Sequence, residues 1–487
     1  MRIACLGAIA IALAVAAPAS GLERVIGVLH VHSDLSTGDL PLDDVLRNAE
    51  AAGVQAILLT ENYLLRVEYG LPPFRALTRV TREEPSILAT DPQRYLEQVA
   101  ELQRRNARVL LLPGVEVMPH YFWTGSPLAL SMQLHNTQKN LLVLGVTDLE
   151  ALKGLLATGN RHDPRYTWQS LADVAPVVLV VPGLVLLARK RRHHRRLGRT
   201  VVVAWRRRWV AGLALSALGV FAAVRAWPFT VDRYPPWVDA GLEPHQALID
   251  QVERLGGATI WSFPEAADSG DRKFGPVQVT WRTDPYSDDL LRTFRYTAFG
   301  AVYEQPTHFT DPGLGWDRLL RQYAAGERSR PAWAVAESGF HGFTRGKRLG
   351  DILTVFFVDE RSPAALLDAL KRGRMYALRR SSDAALVLND FSIAAPNATA
   401  MSGETLKLLP GTRVQVRVAI EATGERSQAV RVTLVRNGTV AEAWSGSTPL
   451  SVAHDDTYDG TPLVYRVDVR GRAPHQLVTN PIFVTAP

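Results

Sequence analysis

Between Arg189 and Arg208 ten of twenty residues are lysine or arginine, none is acidic, and apolar blocks stand on both sides. The block that follows, Trp209 to Trp227, holds nineteen residues with only Arg225 charged. At 1.5 Å per residue such a helix reaches across a bilayer core of ~30 Å, and Arg225 lies near its end, where a long side chain snorkels to the interface. The block before, Val174 to Ala188, is shorter, and extending it back to Trp168 takes in Asp173, which is costly in hydrocarbon. A buried helix is the alternative for that block. Against it stands the charge, because a dense Lys/Arg cluster beside apolar segments marks the cytoplasmic side. The expected organisation is a transmembrane hairpin over residues 170–228 with a cationic cytoplasmic loop, 189–208, holding two segments on the opposite face of the membrane.

The start of the chain agrees with export. "MRIACLGAIAIALAVAAPAS" has one arginine, an apolar core and small residues at Ala17 and Ala19, the form of a secretory signal peptide over residues 1–20, with an uncleaved anchor helix as the alternative. Either way residues 24–165 and 230–487 are expected on the periplasmic or extracellular side. The sole cysteine, Cys5, lies in this stretch, so no intrachain disulfide and no cysteine zinc site is available downstream. The formal charge is +7, and the cationic loop's ten basic residues leave −3 for everything else. A nucleic-acid partner, which needs basic residues spread over a folded face, is not expected; the bilayer is.

The two flanking segments share one rhythm. "RVIGVLHV", "VQAILLTEN", "RVLLLPGVEV" and "NLLVLGV" read as strands, separated by helical spacing in "LPLDDVLRNAEAAG" and "DPQRYLEQVAELQRRNA". Beyond the hairpin, "ATIWSF", "PAWAVAE" and "ILTVFFV" are extended, and "PHQALIDQVERLGG", "GWDRLLRQYAAG" and "SPAALLDALKRG" are helical. Alternation of helices with near-continuous apolar strands predicts a parallel sheet or barrel with its chemistry at the strand C-terminal ends. His30, His32, Glu61, Glu116 and His341 all fall at or just past such ends.

In "RVIGVLHVHSDLSTGD" a strand of period two turns His30 and His32 to one face, where two imidazoles can meet one cation. Simple packing of two histidines is the competing reading. The stretch "HVHSDLSTGDLPLDDVLRNAEAAGVQAILLTEN" resembles the opening of the polymerase-and-histidinol-phosphatase (PHP) domain family. "LLPGVEV", "KNLLVLG", "GGATIWSFPE", "AVAESGFHG" and "ALKRGRMYAL" are similar to later segments of that family in the same order. The resemblance covers roughly 24–148 and 238–380. It implies a distorted seven-stranded β/α barrel, split here into parts 24–165 and 238–380, and metal-dependent hydrolysis of phosphate esters.

Carried over residue by residue, the resemblance keeps His30, His32, Glu116 and His341 as metal ligands and puts Glu61 and His341 forward as catalytic residues, with a purely structural part as the alternative for Glu61. It loses others. Asn62 and Asn140 stand where histidines are expected, Phe263 replaces the histidine of a His-Pro pair, Gly339 replaces an aspartate, and Thr37 falls on another aspartate position, with Asp34 or Asp39 as substitutes. Phenylalanine and glycine offer no ligand atom, and a neutral amide is a poor replacement for imidazole. A cluster of several metals is not expected. His30, His32 and Glu116 remain sufficient for one Zn²⁺, Mn²⁺ or Fe²⁺, with His120, His135 and His341 as further candidates, although a site with no metal at all stays open.

From about residue 386 the pattern becomes all-β. "RVQVRVAIEA" alternates strictly and Asn437–Gly438 marks a hairpin turn, predicting a β-sandwich over 386–487 without catalytic residues. Two functions follow. One is a membrane-anchored, envelope-facing phosphoesterase with activity reduced or lost, kept as a binding module for a phosphorylated small molecule or an envelope partner. The other is an active phosphoric ester hydrolase working with a single metal.

Overall fold

The computed structural model describes residues 21–162, 165–382, 384–424 and 427–487; the expected signal peptide lies outside them. The chain is a mixed α/β protein built on two sheets that share a seam. In the first, Glu23–Val31, Ala56–Leu59 and Leu110–Leu112 run parallel, with Val28 facing Ile57 and Ile57 facing Leu111. Ile352–Val358 and Met375–Arg379 extend it antiparallel. The second orders Glu61–Asn62, Gly114–Val117, Leu141–Leu144, Ala258–Trp261, Ala298–Val302 and Trp333–Ala336.

Two sequence runs that read as single strands are each divided between these sheets. "VQAILLTEN" leaves the first sheet after Leu59 and enters the second at Glu61. "RVLLLPGVEV" does the same at Pro113, which has no N–H to continue a ladder. Gly114 makes the corner possible, since a Cβ there would come within 2.4 Å of Leu144 and 2.7 Å of the Leu59 carbonyl. These crossings carry Glu61, Asn62 and Glu116 into the seam, with Glu61 opposite Val115 and Asn62 opposite Glu116.

The purely parallel expectation gives way at Leu141–Leu144, antiparallel to both Gly114–Val117 and Ala258–Trp261. A hairpin, Phe122–Ser126 with Ser131–His135, intervenes before this strand and no crossover helix does. The expected helices form, among them Leu42–Ala51, Pro92–Arg105 and Pro363–Arg372. Asp91 caps the second by accepting from Gln93 N and Arg94 N.

The apolar blocks form two helical stretches, Trp168–Ala188 and Trp209–Ala226. They pack through small residues: a Cβ on Gly183 would strike Ser216 and the Gly212 carbonyl, and one on Gly219 would strike Val180. Val178, Val181, Leu184, Leu213, Val220 and Val224 point outward and are exposed. That is the reverse of a helix buried in a soluble core. Asp173, the residue that made the first block costly, accepts from Ala76 N at 3.1 Å and Gln169 Nε2 at 3.1 Å. The cationic stretch, read as a loop, pairs as an antiparallel ribbon, Lys190–Leu197 with Thr200–Arg207, turning at Gly198 with φ +60°.

Residues from Leu386 onward are strands. Val414, Val416, Val418 and Ile420 are buried as their alternation predicts, and Asn437 and Gly438 both take positive φ at the hairpin turn. One of the two sheets here is continuous with the first sheet, because Gln476–Thr479 pairs with Met375–Arg379. Asn480 accepts from Ala334 N and donates to Ala334 O and Met375 O. Arg466 reaches Asp317 in a buried bidentate pair, both distances 2.7 Å.

Candidate metal centre

His30 does not sit in a regular ladder. Leu29 faces Leu58 and Val31 faces Leu59, so His30 is the extra residue of a bulge, at φ +68°. His30 and His32 do come together, but a bulge and not the expected flat strand of period two aims His30. A non-glycine residue in this region costs about 1–3 kcal/mol and persists where surrounding contacts hold it. Here the His30 carbonyl accepts from Phe340 N at 2.9 Å, and His32 N donates to the Phe340 carbonyl at 2.8 Å.

The two rings stand 5.0 Å apart between centroids, and both turn Nε2 toward Glu116. His30 Nε2 is 3.5 Å from Glu116 Oε1, and His32 Nε2 is 3.5 Å from Glu116 Oε2. Around a tetrahedral zinc with bonds of ~2.0–2.2 Å, neighbouring ligand atoms stand ~3.3–3.6 Å apart. His30 Nε2 is buried and makes no hydrogen bond, and neither does Asn140 Oδ1. Buried polar atoms without a hydrogen-bond partner beside a buried carboxylate fit a cation, which would take the place of the proton on His30 Nε2. His30, His32 and Glu116 are buried, and their ligand atoms lie within 4.8 Å of one another.

The surroundings prepare each group. His30 Nδ1 meets Glu337 Oε1 at 2.5 Å, Ser262 Oγ donates to the same oxygen, and Phe263 N donates to Glu337 Oε2 at 3.0 Å. A carboxylate on Nδ1 fixes the tautomer that leaves Nε2 for a ligand. Asn62 Nδ2 donates to Glu116 Oε2 at 2.9 Å and Asn140 Nδ2 to Oε1 at 2.8 Å. Burial works against charge on both His30 and Glu116, but the pairing outweighs it. His30 is raised to about 9 by Glu116 and Glu337, while His30, His32 and Asn140 hold the Glu116 carboxyl far below the usual carboxylate range.

The other sequence candidates occupy defined places. His341 stacks face to face on His32 with centroids 4.0 Å apart, and its Nδ1 lies 3.0 Å from Thr37 Oγ1. Thr37 also donates to Asn62 Oδ1 at 2.6 Å. Glu61 accepts from Ser33 N at 2.8 Å, Ser33 Oγ at 2.5 Å and Ser36 Oγ, and burial pushes its carboxyl up to about 7 against those bonds. His120 is bonded to Thr158 and the Val238 carbonyl, and His135 to Thr124. Asp39 accepts from Thr344 Oγ1.

The positions of Phe263 and Gly339 are coupled. Gly339 has φ +57°, and a Cβ there would lie 2.8 Å from the Phe263 ring and 3.0 Å from Lys347 Nζ. Phe263 itself stacks on His30, with Lys347 Nζ 5.6 Å from its centroid. An aromatic ring and an ammonium group therefore fill this flank. Glu337 and Lys347 are the residues that sequence reasoning missed. Glu337 had a signal, being an acid at the end of an apolar strand as Glu116 is; Lys347, in a loop, had none.

No protein-family model matches the chain, and no curated protein matches it. Among solved structures it is similar to a two-domain protein from Bacteroides vulgatus containing a predicted PHP-like metal-dependent phosphoesterase. That match has 10% identity and a TM-score of 0.35, and covers 92% of this chain and 91% of the other. A second, from Bifidobacterium adolescentis and described as a candidate metal-dependent phosphoesterase, has 12% identity and a TM-score of 0.29, covering 67% and 91%. Likenesses so remote carry no argument, and the site must speak through its own geometry.

Proposed function

We propose that the chain is a membrane-anchored, envelope-facing protein with a distorted PHP-type barrel that holds one divalent cation through His30, His32 and Glu116. Phosphoester hydrolysis at this site is reduced far below that of a multi-metal centre. The observation that carries the reading is the environment of Glu116: each oxygen faces one histidine Nε2 at 3.5 Å and accepts one asparagine amide. Asn62 Oδ1 is taken up by Thr37, and the amide oxygen of Asn140 is a weaker ligand than the imidazole expected there, so these residues aim Glu116 and offer little to further ions.

When bound, such a cation supplies Lewis acidity toward a phosphoryl oxygen and acidifies water. The chain's own residues divide the remaining work. Glu337 orients His30, and Asn62 and Asn140 orient Glu116. His341, stacked on His32, is the group proposed to hold a proton for a leaving oxygen, with Thr37 fixing its Nδ1 side. Glu61 takes the positioning part, tying down the turn through Ser33 and Ser36 that follows His32.

The exposed apolar flanks of the two helices support anchoring, and Trp168, Trp227 and Trp209 stand exposed at their ends as aromatic residues do at bilayer interfaces. Single cysteines replacing His162 and Thr439, both exposed, should react with an impermeant reagent on intact spheroplasts. Protection of either contradicts the topology. Turnover of a generic phosphomonoester by the full chain should be weak and lost in His32→Ala and Glu116→Gln. Robust metal-dependent hydrolysis would make the site an ordinary single-metal hydrolase.

A further inference from the structure

The base of the helix pair encloses a second polar site. Five stretches converge there: the strand end at Arg66, Glu68 and Gly70, the loop around Arg75 and Arg79, the Gly159–Arg161 segment, Asp173 in the first helix, and residues 226–237 around the end of the second. The cavity between them measures about 70 Å³. That is far below the ~300–1,000 Å³ of a pocket for a whole small molecule, and suits a single compact group.

Arg66, Arg75, Arg79 and Arg161 all line it. Among the described residues only Arg66 of these four ion-pairs within 4.0 Å, with Glu68 and Glu83. Arg75 donates to the Gly70 carbonyl and lies 4.3 Å over the Trp237 ring, and Arg79 donates to the Arg225 carbonyl at 3.0 Å. Of the three acids in the wall none lies within 4.0 Å of Arg75, Arg79 or Arg161 as an ion pair, although Asp173 acts on Arg75, and Glu68 and Asp232 on Arg161, at longer range. Glu68 is taken by Arg66, Asp173 by Ala76 N and Gln169, and Asp232 has its carboxyl pushed up to about 7 by burial and by Glu68. Arg161 is depressed first by burial and then by the neighbouring Arg66 and Arg79, with Glu68 and Glu83 acting against them.

Its level in the molecule says what meets it. Trp227 follows the second helix and lines the cavity; Tyr166 precedes the first helix, Trp168 opens it, and both are exposed. If the helices cross a bilayer, this ring of aromatics lies among the headgroups. Guanidinium groups recognise phosphate oxygens by directed, often bidentate, hydrogen bonds. We propose that this cavity binds the phosphodiester of an anionic phospholipid headgroup, with Arg75, Arg79 and Arg161 as the recognising cations. The site rests on the membrane-anchored reading, and is independent of the metal centre.

The test uses the full chain, extracted in detergent and freed of lipid. Native mass spectrometry titrations with phosphatidylglycerol, phosphatidylcholine and inorganic phosphate separate the sources. Phosphatidylglycerol should bind at least tenfold more tightly than phosphatidylcholine, which carries the same phosphodiester but brings a trimethylammonium that Arg75, Arg79 and Arg161 repel, and inorganic phosphate should not displace it. The triple variant Arg75→Gln, Arg79→Gln, Arg161→Gln should remove that preference, and Arg161→Gln alone, the milder change, should weaken it several-fold. Equal binding of both lipids, or a preference that both variants retain, overturns the proposal. Arginine-dependent binding of inorganic phosphate as tight as that of phosphatidylglycerol overturns the lipid source. Carbonate extraction of cell membranes distinguishes the underlying reading: a chain released to the aqueous phase contradicts anchoring, whereas a retained chain without lipid preference contradicts only the cavity.

Discussion

Glu61 and Glu116 lie in adjoining parallel strands, one residue out of register, and both are buried. Their ionisation runs in opposite directions. Glu61 turns to serine donors and is raised to about 7, whereas Glu116 turns to two imidazoles and two amides and is held far below its ordinary value. Burial penalises both charges, so the partners decide: hydroxyl dipoles do not offset desolvation, and adjacent cationic imidazole does. One carboxylate is built to meet positive charge. The other is built to fasten a turn.

The largest effect that can break this contrast is on metal content. Glu116→Gln should abolish nearly all bound divalent ion as measured by plasma mass spectrometry, while Glu61→Gln keeps it. Equal loss in both would mean that the two carboxylates share one task. Next is the carboxylate behind His30: Glu337→Gln should weaken metal affinity by about 10–100-fold, the usual size for a group that orients a ligand, in a competition titration with a chelator. Unchanged affinity would show that the bulge alone aims the imidazole.

A smaller effect concerns the flank where Phe263 and Gly339 meet. Gly339→Asp alone meets both a positive φ and the Phe263 ring, and should destabilise the chain by about 1–3 kcal/mol in denaturant unfolding. Combined with Phe263→His the cost should fall below the sum of the two single changes, because the shared space is relieved. Strict additivity would separate two positions that the geometry couples.

The smallest concerns pH. A carboxyl raised from 4.5 to about 7 on folding binds its proton more tightly in the folded state, so its contribution is full below about 4.5 and is lost as pH rises through about 7. The wild type should lose on the order of 1–3 kcal/mol across that window from this group, and Glu61→Gln should flatten that part of the curve. A slope that Glu61→Gln leaves unchanged would assign the titration elsewhere.

How far the sequence carried this reading varied with the kind of signal. Apolar runs and helix spacing located the strands and helices, because periodicity is a property of short segments. The division of two runs between sheets was hidden, since Thr60 and Pro113 interrupt the pairing without interrupting hydrophobicity. His30, His32 and Glu116 were legible as residues, but the bulge at His30 was not: nothing in "VLHVH" announces a left-handed histidine. Asn62 and Asn140 looked only like missing ligands. Their role as donors to Glu116 depends on three strands meeting, which no local pattern encodes.

The claim that one cation, and no more, is held at His30, His32 and Glu116 is tested most directly by adding Mn²⁺ to the full-length chain and following electron paramagnetic resonance. The account predicts saturation at one equivalent, with the spectrum of an isolated ion that disappears in Glu116→Gln. Saturation at two or more equivalents, with the exchange coupling of ions ~3.5–4 Å apart, would contradict it, as would no specific binding at all.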